Sequence, residues 1–264
     1  MDGLIVERTE HVARVTIDRS ERRNALTRAL LRGLADVAGE LGADPSIRVV
    51  VFEGRGGDFS VGMDLKDPEL ANAMQAPLGE RRRILKAGPR MVDAIQAMPQ
   101  TTVAAMHGYC LGGGGCVALA CDLRVAATDL RFGMPEALRG MNMSWHSVPL
   151  MVATFGPART KELLLTQRYL SADEGQLWGL VNRVVAGGGD EARAEALRWA
   201  QEIAETVPPL AATMIKETVN ATANALTPLV HMDTDQFLLT QMTDDFRESV
   251  SAFMEKRKPS FRGQ

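Results

Sequence analysis

Val12–Asp18 alternates apolar and polar side chains residue by residue, the period of a strand with one buried face. After Thr27 the period changes. Leu30, Leu31, Leu34, Val37, Ala38 and Leu41 recur at three- and four-residue spacing, which predicts a helix over Arg28–Gly42 with Thr27 as its N-cap. The β-branched run Ile47–Phe52 predicts a second strand that stops at Gly54. A glycine-rich turn, Gly54–Asp58, leads into a short extended piece, Phe59–Leu65. Residues 66–80 read as a loop punctuated by Pro68, Pro77 and Gly79. A helix over Arg81–Met98 is expected to bend near Gly88 and Pro89. Thr102–Met106 is strand-like, Cys116–Cys121 is apolar enough for a buried helix, and Leu123–Thr128 and Leu130–Phe132 are short extended runs. Val148–Thr166 predicts a helix broken at Gly156-Pro157. Ser171, with Glu174 at capping-box spacing, starts a short helix over Ala172–Gly179. Asn182–Val185 is a last small strand, and the pattern is then helical over 190–206, 209–225 and 227–257.

Strand–helix units repeated about three times, followed by an all-helical tail, predict an α/β layered or spiral core with a helical appendage. Apolar residues along the tail (Leu229, Val230, Leu238, Leu239, Met242, Phe253) predict packing on the core or on another subunit.

Composition narrows the field. The chain has 264 residues, 45% of them hydrophobic, which suits one large domain or a domain with an appendage. A net charge of −3 weighs against nucleic acid as a partner. No apolar run is long enough for a membrane span, and the first residues carry neither a basic start nor an apolar signal core. A cytoplasmic protein is the expectation. Cys110, Cys116 and Cys121 lie within twelve residues, without a C-x-x-C or a histidine at finger spacing. They read as small buried side chains rather than as metal ligands or disulfide partners.

The run Gly112–Gly115 is the strongest chemical signal. It lies between a strand-like stretch and an apolar helix, so its N–H groups are uncovered by side chains at the positive end of a helix dipole. Such a site holds a phosphate or an oxyanion; tight strand–helix packing alone is the plainer reading. The run lacks the Lys-Ser/Thr of a P-loop, and Gly54–Gly57 lacks dinucleotide-fingerprint spacing.

Six segments, in order, resemble the crotonase superfamily, the enoyl-CoA hydratase/isomerase fold. They are Arg19–Leu26 (RSERRNAL), Phe59–Asp64 (FSVGMD), His107–Asp122 (HGYCLGGGGCVALACD), Arg131–Glu136 (RFGMPE), Trp178–Val185 (WGLVNRVV) and Ala252–Lys258 (AFMEKRK). The resemblance implies a spiral of ββα units over residues 1–200, carrying acyl-CoA binding and catalysis. It implies a helical trimerisation region over 201–264, with trimers or pairs of trimers. By motif position, the N–H groups of Met63 and Gly113 would hold the thioester oxygen as its enolate forms, and Glu136 would be the acid/base. Arg22 and Arg23 would meet the CoA phosphates. Ser60 and Val61 would meet adenine through backbone groups, with Asp64 beside them. Phe253 and Lys256 would reach CoA from the last helix. A solvated charged turn and a solvated basic C-terminus are the bland readings of these cations.

The chain departs from the hydratase pattern at two places. Cys116 stands where hydratases carry a second glutamate, and a thiol does not replace a carboxylate. Met141–Ser147 is bulky where hydratases are glycine-rich. Trp145 and His146 would then line the acyl pocket, although a pocket wall or a surface position without chemistry is the bland reading for His146. His107, at a strand end, reads as structural, and Met141, Met143 and Met151 read as core or as a plastic acyl wall. One glutamate is what the isomerases of the resembled family use, so the resemblance implies enoyl-CoA isomerisation first. Hydration by Glu136 alone comes second and non-catalytic acyl-CoA binding third. No metal or redox cofactor is expected, CoA entering as part of the substrate.

Overall fold

The structure, a computed structural model, describes residues 2–224 and 233–260. Its centre is a six-stranded sheet. β1 (Leu4–Thr9) pairs antiparallel with β2 (Val12–Ile17), and after α1 (Arg28–Gly42) comes β3 (Val49–Gly54), parallel to β2. Three helices follow, α2 (Pro68–Gln75), α3 (Leu78–Leu85) and α4 (Ala87–Gln96), and then β4 (Thr101–Met106), parallel to β3. Next come β5 (Tyr109–Leu111), α5 (Gly113–Ala120), β6 (Leu123–Ala127) and β7 (Arg131–Gly133). β6 joins the large sheet beside β4, whereas β5 and β7 form a separate parallel pair. After α6 (Ser147–Thr166) and α7 (Ala172–Trp178), β8 (Arg183–Val185) closes the sheet in the order β1-β2-β3-β4-β6-β8. The tail comprises α8 (Gly189–Thr206), α9 (Pro209–Asn224), α10 (Asp233–Gln241) and α11 (Asp244–Met254).

The sheet has two buried faces, so its inner strands read as continuous apolar runs. Val50, Phe52, Ala104, Met106 and Ala126 face the main core with residues of α1, α4 and α5. Val49, Val51, Val103, Ala105 and Val125 face the other way, onto Ala192, Ala196, Ala200 and Ala204 of α8. Alanines four residues apart form one narrow face, which lets α8 lie close against the strands.

Several expectations are corrected. Residues 66–80 are not a loop: Asp67 and Pro68 open α2, the Asp67 Oδ1 accepting from the Glu69 N–H at 3.0 Å with Pro68 in the first turn. The break expected near Gly88-Pro89 falls at Lys86, between α3 and α4. The single helix expected over 227–257 is interrupted at Met242-Thr243, where the Thr243 side chain caps α11 by accepting from the Phe246 N–H; Leu229 and Val230 lie outside the described residues. β1 was not expected. Its exposed edge position leaves it without an apolar period.

Asp67 serves two elements. Its Oδ2 also accepts from the Arg28 N–H at 2.7 Å, at the start of α1. Asp67→Ala is therefore expected to lower stability by about 1–2 kcal/mol, read as a lower urea midpoint with an unchanged slope.

α11 folds back onto a 3-10 turn, Ala137–Arg139, where the Ser249 hydroxyl donates to Leu138 O at 2.8 Å. α10 is tied to α3 by an Arg82–Asp235 ion pair. The tail's Leu238 is buried, while Leu239, Met242 and Phe253 are exposed in the single chain, as are Leu210, Met214, Ile215 and Val219 on α9. Among the described residues no helix is long and apolar enough to cross a membrane.

Candidate active site

Two loops, distant in sequence, are held against each other at the start of α5. The first carries Gly62 and Met63. It is fixed to the segment before α1 by Leu26 N–H donating to Gly62 O (2.8 Å) and Asp64 N–H donating to Leu26 O (2.9 Å). The buried Ser60 hydroxyl donates to Asn24 O (2.7 Å) and accepts from the Gly62 N–H (3.1 Å). Gly62 has φ +85°, and a Cβ there would lie 2.8 Å from Leu111 O and 3.1 Å from Gly113 N. Only glycine permits both the angle and that approach. The loop that carries Met63 therefore touches the start of α5 through Gly62, beside the Gly113 amide. Among the described residues, neither the Met63 N–H nor the Gly113 N–H donates a hydrogen bond.

The carboxyl group of Glu136 enters from the third side. β7 delivers it through Met134 and Pro135, and its backbone oxygen accepts from Arg139 N–H (2.9 Å) and Met141 N–H (3.2 Å). Gly112, with φ +49°, lets the carboxyl approach: a Cβ at Gly112 would stand 2.7 Å from Glu136 Oε1. Glu136 Oε2 is sealed from solvent and has no hydrogen-bond partner. Burial pushes this carboxyl up from its ordinary value of 4.5 to about 7, against the opposing pull of its own amide and the Arg139 charge. The arrangement presents two spare N–H donors and a carboxyl poised near neutrality, beside one helix N-terminus.

α5 is anchored at its far end. Arg124 is buried, and its guanidinium donates to Cys121 O (2.6 Å) and Ala118 O (3.4 Å) at the C-terminal end of α5 and to Leu180 O (2.5 Å) ahead of β8. Cys116, in the first turn of α5, is buried, so the position where a second carboxylate was sought carries an enclosed thiol. Burial also raises the Cys110 and Cys121 thiols, the latter to about 12, which leaves them inert. His107 is buried beside Gly56 O (3.1 Å) and Arg193, and that burial holds its pKa down, in keeping with a structural role.

Trp145 lies in this site. A Cβ on Gly113 would fall 2.5 Å from its Cζ3, and one on Gly88 would fall 2.0 Å from its Cε2. His146 Nδ1 sits 2.8 Å from Asp93 Oδ1 on α4. The sequence marks Gly88 only as a bend; its reason is the indole packed against it.

The proposed CoA contacts are less concentrated. Arg22 is exposed. Arg23 is already paired with Asp58 (Nε to Oδ2 2.7 Å, Nη2 to Oδ1 3.2 Å), and its guanidinium lies 4.5 Å from the Tyr109 ring centroid. Asp64 accepts from Arg19 at 3.1 Å. Ser60 is buried, its N–H donates to Tyr109 O and its carbonyl accepts from Leu111 N–H, both within the fold. The Val61 N–H is likewise engaged, by Arg23 O at 3.2 Å. Phe253 is exposed and lies under Arg139, 5.1 Å from guanidinium carbon to ring centroid, and Lys256 is exposed just beyond α11. Phe253 thus reaches the turn after Glu136 within the same chain. A hollow of about 590 Å³ between α1 and α2–α4 and one of about 360 Å³ between α4 and α9 are lined by neither Glu136 nor Gly113.

Comparison with known proteins adds an independent observation. Residues 7–264 match the family profile for enoyl-CoA hydratase/isomerase. The 2,3-dehydroadipyl-CoA hydratase of Escherichia coli is 32% identical over 266 residues, covering all of both chains. The crotonyl-CoA hydratase of Syntrophomonas wolfei is 30% identical, covering 98% of each. Among solved structures, an enoyl-CoA hydratase/isomerase from Pseudoalteromonas atlantica superposes with a TM-score of 0.86 at 30% identity, covering 99% of this chain and 100% of that one.

Proposed function

Because the chain belongs to the enoyl-CoA hydratase/isomerase family, we propose that it moves the double bond of an enoyl-CoA thioester, with Glu136 as the only acid/base. The thioester oxygen would sit between the N–H groups of Met63 and Gly113. Removal of a proton from C2 of a 3-enoyl-CoA sends its electron pair into a dienolate whose charge rests on that oxygen. Each preorganised donor is worth about 3 kcal/mol to such a charge. The protonated Glu136 then delivers the proton to C4, the thioester carbonyl re-forms, and the double bond lies between C2 and C3. Nothing is oxidised, and no water enters.

The observation that carries this reading is the solitary Glu136 carboxyl, one oxygen unpartnered and buried, with a buried cysteine where a water-holding partner would stand. A pKa of about 7 suits a group that must take and return a proton near neutral pH. Other carboxylates near these loops are engaged, Asp64 with Arg19 and Asp93 with His146.

Hydration is the second reading, favoured by the names of the E. coli and S. wolfei relatives. One experiment separates them. Incubation with 3-enoyl-CoA and 2-enoyl-CoA substrates, followed by liquid chromatography and mass spectrometry, is expected to give the shifted isomer at unchanged mass from the former. A product heavier by one water, formed from 2-enoyl-CoA without isomerisation, overturns the proposal in favour of hydration. Binding without conversion of either leaves a non-catalytic acyl-CoA binder.

A further inference from the structure

We propose that the Trp145 indole is the wall that limits this site to short acyl groups, seated in a slot made by the missing side chains of Gly88 and Gly113. This rests on the acyl-CoA reading above and adds a substrate class to it. The ring is wedged between two helices. Its Cε2, Nε1 and Cδ2 lie where a Gly88 side chain would begin, all within 2.3 Å of an ideal Cβ there, and its Cζ3 and Cη2 lie within 2.9 Å of one at Gly113. Any larger residue at either position would expel it.

The loop that carries the ring is held by two hydrogen bonds. Trp145 and His146 take left-handed backbone angles in succession, φ +60° and +56°, uncommon for non-glycine residues. The Ser147 hydroxyl closes the turn by donating to Ser144 O at 2.7 Å. His146 meets Asp93, which lies on α4, the helix that also carries Gly88. The ring and one side of its slot are therefore parts of one unit, and the indole is a fixed boundary rather than a loosely placed surface group.

Its position decides what it limits. The Gly113 amide is the proposed anchor of the thioester oxygen, so the first carbons of any acyl group lie beside the residue that the ring touches. A chain that extends toward α4 meets the indole instead of open space. In an apolar site, one misfit methylene is worth roughly 10–200-fold in discrimination, so a few suffice to exclude long chains.

Saturated acyl-CoAs bind without being isomerised or hydrated, which makes the test independent of the reaction. Dissociation constants for butyryl-, hexanoyl-, octanoyl- and decanoyl-CoA are measured by calorimetry on the unaltered protein, Trp145→Ala and Trp145→Phe, each checked for its thermal midpoint. The unaltered protein is expected to bind butyryl-CoA at least about 10-fold more tightly than octanoyl-CoA. Trp145→Ala is expected to reverse that order, with Trp145→Phe between them and still folded should the alanine variant not be. Equal affinities along the series in the unaltered protein, or an unchanged order in a folded Trp145 variant, overturn the proposal while leaving acyl-CoA binding intact. Failure of every acyl-CoA to bind the unaltered protein overturns the acyl-CoA reading on which the proposal rests.

Discussion

Glu136→Gln is expected to lower kcat by roughly 10²–10⁴-fold on whichever enoyl-CoA the protein converts, with little change in KM. Glutamine keeps the size and shape of the side chain, so the cavity beside Gly112 stays filled and the Met63 and Gly113 amides keep their positions. What disappears is the capacity to take a proton. If Glu136 were only a buried helix-start residue, the variant would turn over at the ordinary rate, and that result would remove it from the mechanism. The pH profile is a second readout. The carboxylate form must do the work, so kcat/KM should rise with pH through an inflection near 7 and be flat there in the residual activity of the variant.

The same carboxyl makes a prediction for stability, and its sign follows from linkage. Burial raises its pKa in the folded protein from 4.5 to about 7, so the folded state holds a proton that the unfolded state has released in that interval. The contribution to stability is fully present below pH 4.5 and is lost as pH rises toward 7. The full shift corresponds to on the order of 3 kcal/mol. Glu136→Gln should therefore match the unaltered protein near pH 4 and exceed it in urea midpoint near pH 8. A residue that stabilises the fold when removed and abolishes turnover is one kept for chemistry. Identical midpoints at both pH values would mean that the carboxyl is solvated and not poised near neutrality.

Local signals were legible where one short segment decides the outcome. Thr27 caps α1 through the Leu30 N–H, Ser171 caps α7 through the Glu174 N–H, and Gly156 breaks α6 at φ +81°, all as the sequence predicts. Asp67-Pro68 carried an equally good helix-start signal, but the surrounding proline and glycine hid it. What the sequence withheld was pairing between distant segments. Nothing local shows that Arg23 will be held by Asp58, that Ser60 will spend both backbone groups on the β5 segment, or that Phe253 will reach Arg139. The glycine run and Glu136 were found through a resemblance, yet the reason for Gly88 is visible only once a tryptophan from another loop is packed on it. The site is thus legible as a set of positions, whereas its walls are made by contacts that cross the fold.

Arg124 is one such contact, and Arg124→Met is expected to cost about 3 kcal/mol or more in stability and to lower kcat with it. The buried guanidinium satisfies the carbonyls of Ala118, Cys121 and Leu180. Its positive charge lies at the negative end of α5, which offsets the cost of burying it, although burial still holds its pKa below the ordinary arginine value. Methionine fills much of the volume but leaves those carbonyls without their donor, each worth roughly 1–3 kcal/mol when unsatisfied. Leu180 precedes β8 and the Arg124 N–H donates to Asn182 Oδ1, so the residue also welds β6 to the segment that closes the sheet. α5 is only eight residues long and presents Gly113 at its other end. Loosening the C-terminal end should let the Gly113 amide drift from the Met63 amide, and a displacement near 1 Å is enough for roughly a 100-fold loss of rate. Arg124→Lys, keeping the charge but with a single-headed donor, should recover part of both. A methionine variant with the original urea midpoint and the original kcat would mean that α5 is positioned from its glycine end alone.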